Sequence, residues 1–275
     1  MPFPQGISIG KAMSAAESSL LFLGTGTSVG VPVIGCHCDV CCSADPRNNR
    51  TRSSVLVSYG TTALLVDSGP DLREQALREK ITSIDAVLYT HSHLDHVVGF
   101  DELRAFCWGK REPLPLYGTA ACIGVLKGMF GWAFHADNTH SGYVKPDPRP
   151  VTSLFRIGGF TITPLPVEHG TVETVGYLFE TDAGFRTAYL PDVKLVPPET
   201  MALLGNLDVL VIDALRDAPH STHLSVREAL EISRSLAPRR TFLTHISHDL
   251  DHAELSARLP DGVEVACDGL RVQLA

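Results

Sequence analysis

Four side chains able to bind a metal fall within six residues of this chain: His91, His93, Asp95 and His96. They follow directly on the apolar run Ala86-Val87-Leu88-Tyr89 and Thr90. Imidazole and carboxylate together suit zinc, iron or manganese, and one ion rarely takes four ligands from one short segment. Helical ligands on one face sit three or four residues apart. The spacing here is not helical. It predicts a strand that ends and throws its ligands into a loop. At period two His91 and His93 point the same way, while Asp95 and His96 turn toward a second ion.

The missing ligands appear by one rule, an apolar run and then a donor. Residues 160–167 lead to Glu168 and His169, residues 187–191 to Asp192, and residues 240–244 to His245. Short β-branched and aromatic runs bounded by Gly, Pro or polar residues are strand signals. Donors at the ends of several strands gather on one rim of a sheet. Two sites follow: His91, His93 and His169 for one divalent ion, and Asp95, His96 and His245 for the other. Asp192 bridges them with its two carboxylate oxygens, at a metal spacing of about 3.5–4 Å. Asp67, at the end of a strand, is placed to orient a ligand histidine from behind.

A second group of donors lies near the N-terminus. The chain has seven cysteines, and four of them, Cys36, Cys38, Cys41 and Cys42, sit in one loop. That pattern does not suit a secreted disulfide framework. The C-x-C-x-x-C spacing of Cys36, Cys38 and Cys41 suits a structural zinc, which wants four closed ligands. Cys42, His37 or a distant residue could be the fourth. Cys267, at the end of a strand-like run, is the preferred choice, because it would staple the N-terminal loop to the C-terminal strand.

Strands and helical patterns alternate along the whole chain, which predicts an α/β fold. Residues 53–59 and 62–66 read as strands joined by a hairpin at Gly60-Thr61. Residues 71–79 and 224–232 read as amphipathic helices, the second with Ser225 three residues before Glu228 as an N-cap. Residues 207–212 read as a buried strand. Residues 1–19 read as a flexible extension, with no continuous apolar stretch of the secretory type. Residues 20–275 then form one domain. The segment 104–150 carries many aromatics, including both tryptophans, among glycines and prolines. It reads as a lid-like insertion over the metal rim.

Composition narrows the partners. With 31 acidic and 23 basic residues the net charge is −8. A protein that grips many phosphates of a long nucleic acid usually carries a basic face. A small-molecule substrate is therefore expected, rather than long nucleic acid. No apolar run approaches the roughly 18 residues of a membrane span, so no membrane partner and a cytoplasmic location are expected. The apolar and aromatic residues of the lid leave room for a homodimer.

The set His91-x-His93-x-Asp95-His96, His169, Asp192 and His245 resembles the dinuclear motif of metallo-β-lactamase-fold hydrolases. The resemblance runs from about Leu20 to the C-terminus. It implies a four-layer αββα sandwich with two metals at one edge of the sheets. Gly24-Thr25-Gly26-Thr27-Ser28 with Pro32, the cysteine knuckle, residues 45–50, residues 101–104 and residues 220–224 resemble PhnP-type phosphodiesterases. Those enzymes hydrolyse cyclic phosphodiesters, notably phosphoribosyl cyclic phosphate, and a histidine near the C-terminus completes their knuckle. No histidine follows His252 here, which leaves the place to Cys267 or leaves the site open.

The expected chemistry is attack by a hydroxide shared between two divalent ions, zinc or manganese or iron, on a small phosphodiester. Asp95, as a ligand, and His223 are the side chains assigned catalytic parts. His223 donates a proton to the leaving alkoxide or holds the phosphate, with His220 the less favoured neighbour. Arg104 is expected to clamp a substrate phosphate. The same metal pair would also suit acyl-bond cleavage, as in lactonases, thioesterases and β-lactamases, or tRNA 3′-end processing. A non-catalytic role like that of the cofactor-synthesis protein PqqB is a further alternative.

Overall fold

Two sheets of seven strands each organise the chain. The computed structural model describes residues 18–274. The extension expected over residues 1–19 lies outside the described residues as far as residue 17, while Ser18 and Ser19 already belong to the first strand. The first sheet holds β1 (Ser18–Gly24), β2 (Ser54–Tyr59), β3 (Thr62–Val66), β4 (Ala86–Leu88), β5 (Leu114–Gly118) and β6 (Pro146–Pro150). The second holds β7 (Phe155–Ile157), β8 (Phe160–His169), β9 (Val172–Thr181), β10 (Arg186–Leu190), β11 (Val209–Asp213), β12 (Arg240–Thr244) and β13 (Val263–Val265). The last strand, β14 (Arg271–Gln273), returns to the first sheet and pairs antiparallel with β1.

Alternation along the strands builds the layers. Leu20 and Phe22 of β1, Val55 and Val57 of β2, Phe160 and Ile162 of β8 and Tyr177 and Phe179 of β9 meet between the sheets. Leu21, Leu56, Leu65 and Val87 point the other way. There they pack under α1 (Leu72–Arg78), α2 (Leu94–Val97), α3 (Arg104–Cys107), α4 (Ala120–Met129) and α5 (Gly131–Phe134). Leu178, Ala188, Leu210, Ile212 and Leu243 of the second sheet face α6 (Pro198–Leu203), α7 (Val226–Leu236) and α8 (His252–Ala257). The result is the four-layer αββα sandwich.

Local signals account for several boundaries. Gly60, at φ +58°, makes the tight turn between β2 and β3. Ser225 caps α7 in a capping box, its hydroxyl accepting from the Glu228 amide while the Glu228 carboxylate accepts from the Ser225 amide.

The segment 104–150, expected as a lid-like insertion, holds α3, β5, α4, α5 and β6. It supplies β5 and β6, which extend the first sheet in parallel from β4. Phe100 stacks on Phe130 at 4.5 Å and on Phe134 at 5.7 Å, and Tyr117 stacks on Phe155 at 4.5 Å. Trp108, Trp132 and Tyr143 remain exposed. Aromatics that cover an outer sheet face look the same in sequence as aromatics that cover a cleft.

Candidate metal centre

The donors collect where strands of both sheets end. His91 and His93 leave β4 through Thr90, His169 ends β8, Asp192 follows β10, and His245 follows β12. Two of the turns use left-handed backbone at non-glycine residues, Asp67 at φ +63° and His245 at φ +58°. Such conformations cost free energy and persist where the surroundings hold them. Beneath the motif the backbone is packed against itself. The Ser68 amide donates to His96 O at 2.8 Å and the Gly99 amide to Ser68 O at 2.9 Å. A Cβ on Gly99 would stand 1.9 Å from Gly69 O, so only glycine lets the loop lie this close.

The seven donors form overlapping groups. His91 Nε2 lies 2.9 Å from His93 Nδ1, and His169 Nε2 lies 3.3 Å from the same atom. His96 Nε2 is 3.2 Å from both Asp95 Oδ2 and Asp192 Oδ2. His245 Nε2 is 3.2 Å from Asp192 Oδ1, and His169 Nε2 is 3.9 Å from it. Asp192 thus stands between the group His91, His93, His169 and the group Asp95, His96, His245.

Hydrogen bonds behind the donors set their orientation. His91 Nδ1 donates to Thr90 Oγ1 at 3.0 Å, and that hydroxyl donates to Asp67 Oδ2 at 2.9 Å. His96 Nδ1 donates to the same carboxylate oxygen at 2.8 Å. His169 Nδ1 donates to Thr222 O at 2.8 Å. In each case Nε2 is left for a cation, and such outer partners fix the ring and raise its basicity.

The residues fit a divalent cation. His96 Nε2, His245 Nε2 and Asp192 Oδ2 are buried without a hydrogen-bond partner, a costly state for polar atoms unless an ion satisfies them. Burial holds His91 and His169 below the usual imidazole pKa and His245 down to about 4, so these rings are neutral, the ligating form. Burial opposes an ionised Asp192, yet His245, His96 and His91 hold it well below the usual carboxylate value. His96 differs. Burial disfavours its charge, but Asp192, Asp67 and Asp95 push its pKa well up. That acidic ring stabilises positive charge at this point, whether a proton or a metal ion supplies it.

A cleft of about 400 Å³ opens over these donors. It is lined by His93, Asp95, His169, Asp192 and His245, by the turn Gly170-Thr171-Val172, and by Ser28, Thr222 and His223. His223 Nδ1 donates to Asp213 Oδ2 at 2.7 Å, and its ring lies 4.6 Å from His169 and 4.7 Å from His245. Burial pushes the Asp213 carboxyl up to about 7, against the pull of His223. For His223 burial works against the proton, and the Asp213 hydrogen bond and charge outweigh it, raising its pKa.

Two assigned residues stand elsewhere. Arg104 pairs with Asp101 at 3.2 Å on the surface and borders a separate hollow with Leu72 and Trp108. It opens α3 and is not among the residues that line the cleft. Cys267 is also displaced. The thiols of Cys36, Cys38 and Cys41 lie 3.3, 3.5 and 3.5 Å from His248 Nδ1, so His248 takes the place assigned to Cys267. Cys267 is desolvated beside Arg50 and Asp268. The Cys41 amide pulls Cys38 down to about 6, while burial pushes Cys41 up to about 11. Only a cation would hold all three together as thiolates, so this knuckle too fits a metal.

Sequence reasoning missed His248 and Asp213. His248 follows His245 by three residues, and the chain turns between them, so each imidazole serves a different cluster. Asp213 obeys the rule that found Asp192, a donor directly after an apolar strand. His220 does not line the cleft. It accepts from the Thr222 amide at 3.3 Å and shapes the loop that presents His223.

Comparison with known proteins places residues 62–246 in the beta-lactamase superfamily domain. A PhnP-family protein described as a new diphosphatase has a solved structure that is 40% identical to this chain. It superposes with a TM-score of 0.85 over 93% of this chain and 97% of that one. Zinc-bound PqqB from Methylobacterium extorquens, 24% identical, superposes at 0.76 over 92% and 99%, a likeness of fold. An octanoyltransferase of Porphyromonas gingivalis is 34% identical over 260 residues, covering 91% of this chain. The chain spans only about half the length of that relative (50%).

Proposed function

Because the chain belongs to the beta-lactamase superfamily, we propose that it is a dinuclear metal-dependent phosphoric diester hydrolase acting on small diesters. His91, His93 and His169 would hold one divalent ion, zinc or manganese or iron. Asp95, His96 and His245 would hold the other, with Asp192 shared. When bound, the ions supply an activated water and neutralise charge on the phosphoryl oxygens. The chain's own residues do the rest. Asp67 orients His91, through Thr90, and His96. The Thr222 carbonyl orients His169. Asp213 takes the Nδ1 proton of His223 in a hydrogen bond, which leaves Nε2 to give its proton to the departing alkoxide. The cleft volume suits a small molecule.

The observation that carries this reading is the hydrogen bond of 2.7 Å between buried Asp213 and half-buried His223, beside the donors. An alkoxide leaving a phosphodiester needs a proton, whereas a thiolate leaving a thioester does not. A proton donor supported by a buried carboxylate therefore favours oxygen esters. The test is His223→Ala assayed on a small cyclic phosphodiester with an alkoxide leaving group, a lactone and a thioester. Turnover of the diester should fall about 10²–10⁴-fold with metal content full. Unchanged diester turnover, or a wild type active only on the acyl substrates, overturns the reading.

The 40% identical diphosphatase supports a second reading, cleavage of a diphosphate bond. A phosphate leaving group is less basic than an alkoxide and leans less on an acid. If diphosphates are the better substrates, His223→Ala will cost them much less than it costs the diester.

A further inference from the structure

Ser28 lines the cleft without being a metal donor or a neighbour of His223. It stands at the tip of a turn closed by the Gly30 amide donating to Thr27 O at 2.9 Å. The turn is stapled to residues 50–53 along its length. Gly26 N donates to Thr51 O at 2.8 Å and Ser53 Oγ to Gly26 O at 3.0 Å. Val31 and Arg50 exchange both backbone hydrogen bonds, at 2.9 and 2.7 Å. At the tip itself the staple is a side chain, Arg52 Nε donating to Ser28 O at 3.2 Å. Asp71 holds that guanidinium, both carboxylate oxygens lying 3.2 Å from Nη1, and also accepts from the Arg52 amide at 2.9 Å. Gly30, at φ +68°, lies over the same group, a Cβ there falling 3.5 Å from Arg52 Nη1.

The other end of the loop is anchored as firmly. The Ile246 amide donates to Thr25 O at 2.9 Å, directly after His245. The Val33 amide donates to Cys41 Sγ at 3.3 Å, in the knuckle. A serine carried on a loop fixed at Thr25, Gly26, Ser28, Val31 and Val33 loses little conformational freedom on meeting a ligand, which is how a binding contact is preorganised. Beyond the donors the cleft is also lined by Gly170, Thr171, Val172, Thr222 and His223. Ser28 therefore stands on a fixed turn at the edge of the space that an ester group would fill.

We propose that Ser28 is a specificity-determining contact for the ester group of the substrate, selecting groups that carry a hydrogen-bonding hydroxyl, and that Arg52, held by Asp71, is its positioning residue. This rests on the phosphodiester reading above. Two synthetic probes test it, 4-hydroxybutyl 4-nitrophenyl phosphate and butyl 4-nitrophenyl phosphate. They share a leaving group, and the hydroxyl of the first is too distant to close a five- or six-membered ring on phosphorus, so the ratio of their kcat/KM values reports recognition and not chemistry. In Ser28→Ala the ratio should fall about 3–10-fold, the worth of one neutral hydrogen bond, through KM and with metal content unchanged. Arg52→Lys keeps the charge but loses the guanidinium fork, and should shift the ratio the same way. A ratio equal to wild type in Ser28→Ala overturns the inference and leaves the hydrolase reading standing. A wild type that turns over neither probe sinks that reading, and the inference with it.

Discussion

Cys267 was expected in the fourth place beside the three thiols, and distance gives that place to His248. The His248 ring meets all three knuckle thiols, whereas Cys267 sits beside Arg50. His248→Ala should therefore lower bound zinc by about one ion per chain and depress the melting temperature. Cys267→Ser should leave metal content at the wild-type level. Elemental analysis of the purified variants checks both, and zinc loss in Cys267→Ser would reverse the assignment. The cluster that the structure brings together was legible in His91, His93, His169, Asp192 and His245 because these follow apolar strand runs, while Asp95 and His96 stand on α2 rather than in the expected loop. Arg104 was not legible in this way, because a basic residue near a motif says nothing about the direction its helix turn gives the side chain.

Among the elements, the loop between β11 and α7 carries the most function. It runs from Asp213 to Ser225 and presents Thr222 and His223 to the cleft. Its two ends are drawn together, the Val226 amide donating to Arg216 O at 3.0 Å and the Leu215 amide to Leu224 O at 3.0 Å. The capping box of α7 closes it, and Lys194 at 2.7 Å holds the Glu228 carboxylate from the other side. Ser225→Ala removes the cap, which should destabilise the fold by about 1 kcal/mol in urea unfolding. Because the same cap tethers His223, kcat on the diester should also fall; a stability loss with kcat intact would uncouple cap from loop. The sequence pattern reached this helix and its cap through Ser225 and Glu228. It did not reach the parallel places of β5 and β6, since pairing partners are set by sheet order and not by any local signal.

For the whole molecule, segments far apart in sequence meet around Arg50. Its buried guanidinium donates to Thr25 Oγ1 at 2.9 Å and to Ala266 O at 2.6 Å, and lies 3.1 Å from His252 Nδ1. Asn48 adds a second staple, donating to Asp251 at 2.7 Å and accepting from the His252 amide at 2.9 Å. These contacts absorb the Asp45–Arg50 motif as architecture. They also make the fold acid-sensitive. Burial, and then the Arg50 charge, push His252 down to about 4, while the unfolded chain titrates near 6.5. Between those values the unfolded state holds a proton that the fold refuses. This part of the stability is therefore complete above pH ~6.5 and is lost as pH falls toward 4. His252→Gln should flatten the dependence of unfolding free energy on pH across that window. Equal slopes for variant and wild type would assign the acid sensitivity to other groups.

The amino-acid sequence alone determined the layered α/β class and picked out the histidines and aspartates of the main cluster and the three thiols that the structure brings together, because strand periodicity and side-chain chemistry are written in consecutive residues. Only the tertiary structure brought His248 to the three thiols, set Asp213 behind His223, placed β5 and β6 in the first sheet and put Ser28 on the cleft. Each of these is a meeting of side chains far apart in sequence or turned by a single loop residue. Such meetings depend on how two sheets pack and where their loops end, and no local pattern carries that information.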